Sequence, residues 1–177
     1  MSILDRNPTN PNFLQPNKFQ LSFSRSPNLQ YFCQAVSVPG ISLSEIPRQT
    51  PFVDLYSPGE KAIYDVFNVT FLVDEEMKSW LDIHDWIRAL TFPKEFQEYR
   101  DLERMSKYTG NVERPQYSDA VLTILSSANT PTIRFKLYDC FPTSISAFVL
   151  SSQESPDNII TADATFRFAY YDVERLI

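Results

Sequence analysis

Strict alternation of aromatic and polar residues leaves this chain few options. In "NKFQLSFSR", Phe19, Leu21 and Phe23 fall on one side while Gln20, Ser22 and Ser24 fall on the other. A period of two marks a strand with one face in a core and one in water. "FNVTFLVD" repeats the pattern with Phe67, Val69, Phe71 and Val73, and "TIRFKLYD" with Ile133, Phe135 and Leu137. "ADATFRFAYYDVERL" does so with Phe166, Phe168 and Tyr170, and "YSDAVLTILSS" reads as a further strand. The chain holds 14 Phe and 9 Tyr, bulky residues that favour strands, against only 3 Gly. Its turns therefore lean on Pro, Asn, Asp and Ser, and 13 prolines agree.

Other segments fill in the order. "SPN" at 26–28 reads as a turn, and "LQYFCQAVSV" as a strand covered on both faces. Residues 39–61 read as a long irregular loop, with a short edge strand near Phe52–Tyr56. That loop carries Ile41, Leu43, Ile46, Phe52 and Leu55, which a solvated loop has no use for, so it is expected to dock on something. Asp74 is placed to cap a helix over 75–90, with Glu75 and Glu76 in its positive first turn. Met77, Trp80, Ile83, Ile87 and Leu90 share one face of that helix. Residues 91–116 are charged and mixed, with room for a short helix. The Asn/Pro-rich residues 1–17 read as an extended arm. The expected fold is mainly β: an antiparallel sandwich or barrel of seven or eight strands with one flanking helix, a single domain over 18–177.

Chemistry is sparse. The only histidine, His84, lies in the helix with Asp82 and Asp85 beside it, and the i+4 position holds Arg88 instead of a second ligand. There is no G-x-S-x-G and no phosphate-binding glycine loop. The carboxylates of "DEE" at 74–76 are explained by a helix start. Cys33 and Cys140 lack metal-ligand spacing and read as reduced thiols. The expectation is a protein with no catalytic, metal or cofactor site. A formal net charge of −6 without a Lys/Arg cluster argues against gripping nucleic acid. No stretch approaches the ~20 apolar residues of a membrane span, and the N-terminus lacks the apolar segment of a signal peptide. What remains is apolar surface that only an assembly would bury.

The order of these motifs resembles the tail-tube family of contractile-tailed bacteriophages, which includes the tube protein and the baseplate protein that starts the tube. The resemblance rests on "NKFQLSF", the "SVPGISL" turn, "FNVTFLVDEE" with the Trp-bearing helix "WLDIHDWI", "FPTSISAFVL" and "ADATFRFAYYDV", from about residue 17 to 173. It implies a hexameric ring whose sheets join into an inner barrel, and rings stacked into a channel for the genome. The alternative is a terminal ring at the baseplate or neck. DNA would pass an acidic wall without specific binding, and the place of the protein would be the virion, after assembly in the host cytoplasm. Ile41, Leu43, Ile46, Phe52 and Leu55 become candidate contacts between subunits. Lys78 and Arg88, on the outer face of the helix, become candidates for meeting sheath or baseplate proteins. In "YDCFPTSISAFVLSS", Phe141 and Pro142 are expected at a corner, with one strand ending at Leu137, the next running from Ser144 to Leu150, and Phe141 plugging the core. A monomeric barrel with a small-molecule pocket is the rival reading.

Overall fold

The computed structural model describes residues 12–91, 96–97, 99–101, 114–153, 155 and 157–176. Residues 1–11 of the arm and 102–113 of the charged segment lie outside the described residues. The chain is mostly antiparallel β, with nine strands, two helices and further helical residues at 97 and 99–101 among the described residues. β1 (Phe19–Phe23) pairs with β6 (Ser118–Leu125), β6 with β7 (Pro131–Ile145), and β7 with β9 (Tyr170–Arg175). Beyond its middle, β7 pairs with β8 (Thr161–Arg167), which pairs with β5 (Phe67–Leu72), and β5 with β2 (Cys33–Val36). Two four-stranded layers thus share β7.

The alternating residues meet between the layers. Leu21, Phe23, Ala120, Leu122 and Leu137 come from the first, and Phe67, Val69, Phe71, Ala162, Ala164 and Phe166 from the second, all buried. Phe23 reaches across to Phe166, ring centroids 4.8 Å apart. Helix α2 (Lys78–Thr91) flanks them and buries Ser79, Ile83, Trp86 and Ala89. The buried stripe is therefore one residue away from the expected one: Trp80 and Ile87 lie at its margin. Trp86 is held twice, its indole N–H donating to Gln116 O at 3.2 Å and the Arg25 guanidinium lying 4.9 Å over its ring.

Four expectations are corrected. "SPN" is not a turn but the start of a helix, α1 (Pro27–Phe32), with Ser26 at its N-cap and Pro27 in its first turn. Proline's fixed φ suits that position as well as it suits a turn, and docking of the fully buried Leu29 decides for the helix. The strand expected to be covered on both faces shrinks accordingly to β2 and is not so covered: Gln34 and Ala35 are exposed, Cys33 and Val36 half-buried. Second, the loop at 39–61 is a β-hairpin, β3 (Ile41–Arg48) against β4 (Leu55–Tyr64). Third, α2 begins at Lys78, because Met77 at φ 54° breaks the helical run; Glu75 and Glu76 fall in the preceding turn. Asp74 still caps it, its carboxylate accepting from Lys78 N and Ser79 N at 3.1 Å each and from Ser79 Oγ at 2.8 Å.

Fourth, β7 runs unbroken through Pro142 and ends at Ile145, so 146–150 is not strand. The sharp backbone feature lies three residues earlier, at Asp139, with φ 54°. There β7 leaves the first layer, Cys140 still opposite Ser118 and Phe141 already opposite Arg167 in the second. The final alternating segment is two strands that cross at the same place, with Ala169 N donating to Tyr138 O at 2.9 Å. Pro142 lies opposite Phe166, beside a register shift, on a part of β7 whose only recorded neighbour is β8. A residue without an N–H is tolerated on such an edge.

Candidate assembly surface

The hairpin is the extension of one edge of the second layer. The β2–β5 ladder passes through Ser37 N to Asn68 O at 3.0 Å and Asp65 N to Gly40 O at 3.0 Å, then becomes the β3–β4 ladder starting at Ile41 opposite Tyr64. Past that root the hairpin pairs with no other strand among the described residues. Tyr64 clasps it to the body, 5.6 Å from Phe168 and 5.3 Å from Tyr171 between ring centroids. Halfway along, a bulge at Ser44 faces Gly59, where a Cβ would stand 2.2 Å from Ser44 Oγ, so only glycine fits.

The five apolar residues singled out from the sequence all lie on this hairpin, and Ile41, Leu43, Ile46, Phe52 and Leu55 are 59%, 59%, 57%, 98% and 52% exposed. Tyr56 and Ile63 are exposed with them. The register puts Ile41 beside Tyr64 on one face and Ile63 beside Ser42 on the other, so both faces are apolar. Two-stranded hairpins are marginal in water on their own. Apolar surface of this kind is the mark of an interaction site.

The sheet path is also open. β1 and β2 end it, and β9 forms a third edge, each with one recorded neighbour. An open groove of about 550 Å³ runs between the end strands, lined by Phe19, Gln20 and Leu21 on one side and Gln30, Cys33 and Gln34 on the other. Burial raises the Cys33 thiol to about 11 and, with Asp119 near, the Cys140 thiol to about 12, so both stay protonated at neutral pH.

The remaining candidates are placed but not brought together. Lys78 is exposed and pairs with Glu76, whereas Arg88 is half-buried near the end of the same helix. Phe141 is half-buried against Tyr117, 5.8 Å between ring centroids, while Pro142 is the buried member of the pair. His84 stacks on Trp80 at 5.0 Å and meets Asp85 at 3.1 Å. Among the described residues no cluster of three metal-ligating side chains occurs, and no helix is long and apolar enough to cross a membrane. Sequence reading expected unfinished strand edges without saying which strands carry them, and it missed the Tyr64 clasp. Edges are invisible before pairing is known, but Tyr64 could have been suspected as an aromatic just before the strongest strand.

This architecture has known relatives. The sequence model of the phage tail tube protein family matches residues 8–174, and the chain belongs to that family. It is 28% identical over 146 residues to the tail tube terminator protein of Enterobacteria phage T4, a match covering 80% of this chain and 76% of that protein. Its fold is that of a chain in the extended sheath–tube complex of the PVC extracellular contractile injection system, at a TM-score of 0.63 and 12% identity, covering 94% of each chain. A chain in the tube-terminating cap of the anti-feeding prophage has it too, at a TM-score of 0.61 and 13% identity, covering 99% of each.

Proposed function

We propose that this chain forms a sixfold ring at an end of the tail tube of a contractile phage, around the channel through which DNA passes. The observation that carries the terminal position is the 28% identical relative whose role is tube terminator. The physical case for a ring is the unfinished surface. β1, β2 and β9 leave backbone donors and acceptors on open edges, which another chain can complete. The edges differ from one another, so pairing between them is head to tail, the arrangement that closes into rings. The hairpin, apolar on both faces, reaches a neighbouring copy and there buries Ile41, Leu43, Ile46, Phe52 and Leu55. Asp139, just ahead of Phe141 and Pro142, holds the strand corner that sets the angle between the layers. Lys78 and Arg88 face sheath or baseplate partners, and the site of action is the virion tail.

The many-copy tube subunit is the second reading, favoured by the family's description as tail tube protein. A pocket for a small molecule has little support, since the groove beside Phe19 and Cys33 is open. Negative-stain microscopy of the purified protein, alone and in isolated tails, tests the proposal. Single rings that do not stack are expected. Long tubes from the protein alone would move it to the tube subunit, and tails that hold no ring of this chain would reject both.

A further inference from the structure

The two layers have outward faces of different chemistry. On the first, the register aligns Thr123 with Arg134 and Arg134 with Glu174, then Val121 with Lys136 and Lys136 with Asp172. Glu174 takes both cations, Lys136 at 3.0 Å and Arg134 at 3.4 Å. Beside them Tyr138 and Tyr170 stack at 4.8 Å. The face is thus dense in charge of both signs, two cations against Glu174 and Asp172, and Arg134 and Lys136 keep N–H donors beyond those given to Glu174 that a phosphate could catch.

On the second layer, the register aligns Asn68 with Thr165, Thr70 with Asp163 and Leu72 with Thr161. Thr70 Oγ1 donates to Asp163 Oδ1 at 2.6 Å, Thr165 Oγ1 donates to Asn68 Oδ1 at 3.0 Å, and Thr143 Oγ1 donates to Thr165 O at 3.0 Å. Arg167 is turned to the hairpin root, donating to Tyr64 O at 3.3 Å. Along β5 and β8 the outward charges are therefore one acid and one base. The short side chains are already hydrogen-bonded to the face itself. Along β5 and β8 Arg167 is the one cation a phosphate backbone would meet, and it lies at the hairpin root, away from the hydrogen-bonded short side chains.

We infer that the outward face of the second layer, carried by Asn68, Thr70, Asp163 and Thr165, is the channel wall that double-stranded DNA slides along, and that the first layer's charged face is turned away from the channel. The inference rests on the ring proposed above. It replaces the acidic wall expected from net charge with a neutral, self-satisfied one, on which DNA meets little friction of either sign. The hairpin agrees with this orientation. It prolongs the second layer beyond the body, so the layer that continues toward a neighbouring copy is the one given the wall.

Thr165→Cys and Thr123→Cys place one new thiol on each face, and wild-type tails treated alike show what the native Cys33 and Cys140 contribute. Tails carrying either variant are labelled with a maleimide–gold cluster small enough to enter the bore and imaged by electron microscopy. Gold inside the bore at the ring from position 165, and off the axis from position 123, is the expected result. Gold in the bore from 123, or outside it from 165, would overturn the inference while leaving the ring intact. Label at neither position with a ring visible would mean that both faces are buried, which also overturns it. A tail lacking the ring altogether would instead count against the proposed function. As a second readout, Thr70→Lys with Thr165→Lys should slow DNA ejection at least tenfold, while Val121→Lys with Thr123→Lys should leave it unchanged.

Discussion

Asp74 shows how much one short side chain can settle. It follows β5, turns the chain and satisfies the first N–H groups of α2, while Ser79 Oγ, with one hydrogen to give, sits between the same carboxylate at 2.8 Å and Leu72 O of the strand at 3.2 Å. Partial desolvation raises its pKa, but the hydrogen bonds from Ser79 and Lys78 outweigh that and hold it below the usual carboxylate value. A depressed carboxylate stabilises the fold above its unfolded pKa, and the contribution is lost as pH falls through the lower folded value. Asp74→Ala should cost roughly 1 kcal/mol at neutral pH. The gap between variant and wild-type melting temperatures should close on acidification, and circular dichroism melts from neutral pH to pH 3 would check it. At Gly59 the constraint is steric. Gly59→Ala drives a methyl into Ser44, so it should disorder the hairpin and leave the melting temperature of the body nearly unchanged, since β3 and β4 form a two-stranded sheet apart from the body's sheet. Amide exchange confined to 41–64 would show it.

At the scale of elements, β7 and α2 carry the design. β7 belongs to both layers, and its positive-φ Asp139 together with the crossing at Ala169 turns two strands through the same corner. Pro142→Val adds an N–H at a buried position, so the monomer should still fold but lose roughly 1–3 kcal/mol. Ring formation should fall if the corner angle matters, and sedimentation velocity would separate the two effects. α2 closes the side of the core through Trp86, 6.3 Å from Phe166 between ring centroids. Phe166→Ala removes the ring that touches Phe23, Phe67 and Trp86 at once. It should cost about 3–5 kcal/mol, read as the denaturant midpoint. A change under 1 kcal/mol would mean that the layers do not meet there.

On the scale of the whole molecule, a well-filled core sits beside surface that the single chain does not finish. Replacing Ile41, Leu43, Ile46 and Leu55 together by Ser removes apolar area that is already exposed, so folding should be unaffected or slightly favoured. Assembly should fail at concentrations where the wild type forms rings, since each of these residues loses about 1 kcal/mol or more of burial when the contact goes. Size-exclusion chromatography with scattering would report both. Assembly equal to wild type would remove the hairpin from the interface.

How far the sequence reaches follows from the range of the forces involved. Period-two alternation and three- and four-residue spacing are both local; the first located most of the buried strand residues, from Leu21 and Phe23 through Phe67–Phe71 to Phe166, and the second the flanking helix behind its Asp74 cap. The sequence also flagged the apolar content of 39–61, though without a partner in view those residues looked like loop. What depended on non-local pairing was decided only in the folded chain. Ser26–Pro27 suited turn and helix alike until Leu29 found its pocket. β7 held through Pro142 because β8 and β9 together follow its bend. The chemistry of the two outward faces emerged only from register, because a cross-strand neighbour such as Thr165 beside Asn68 is set by tertiary pairing between residues nearly a hundred positions apart.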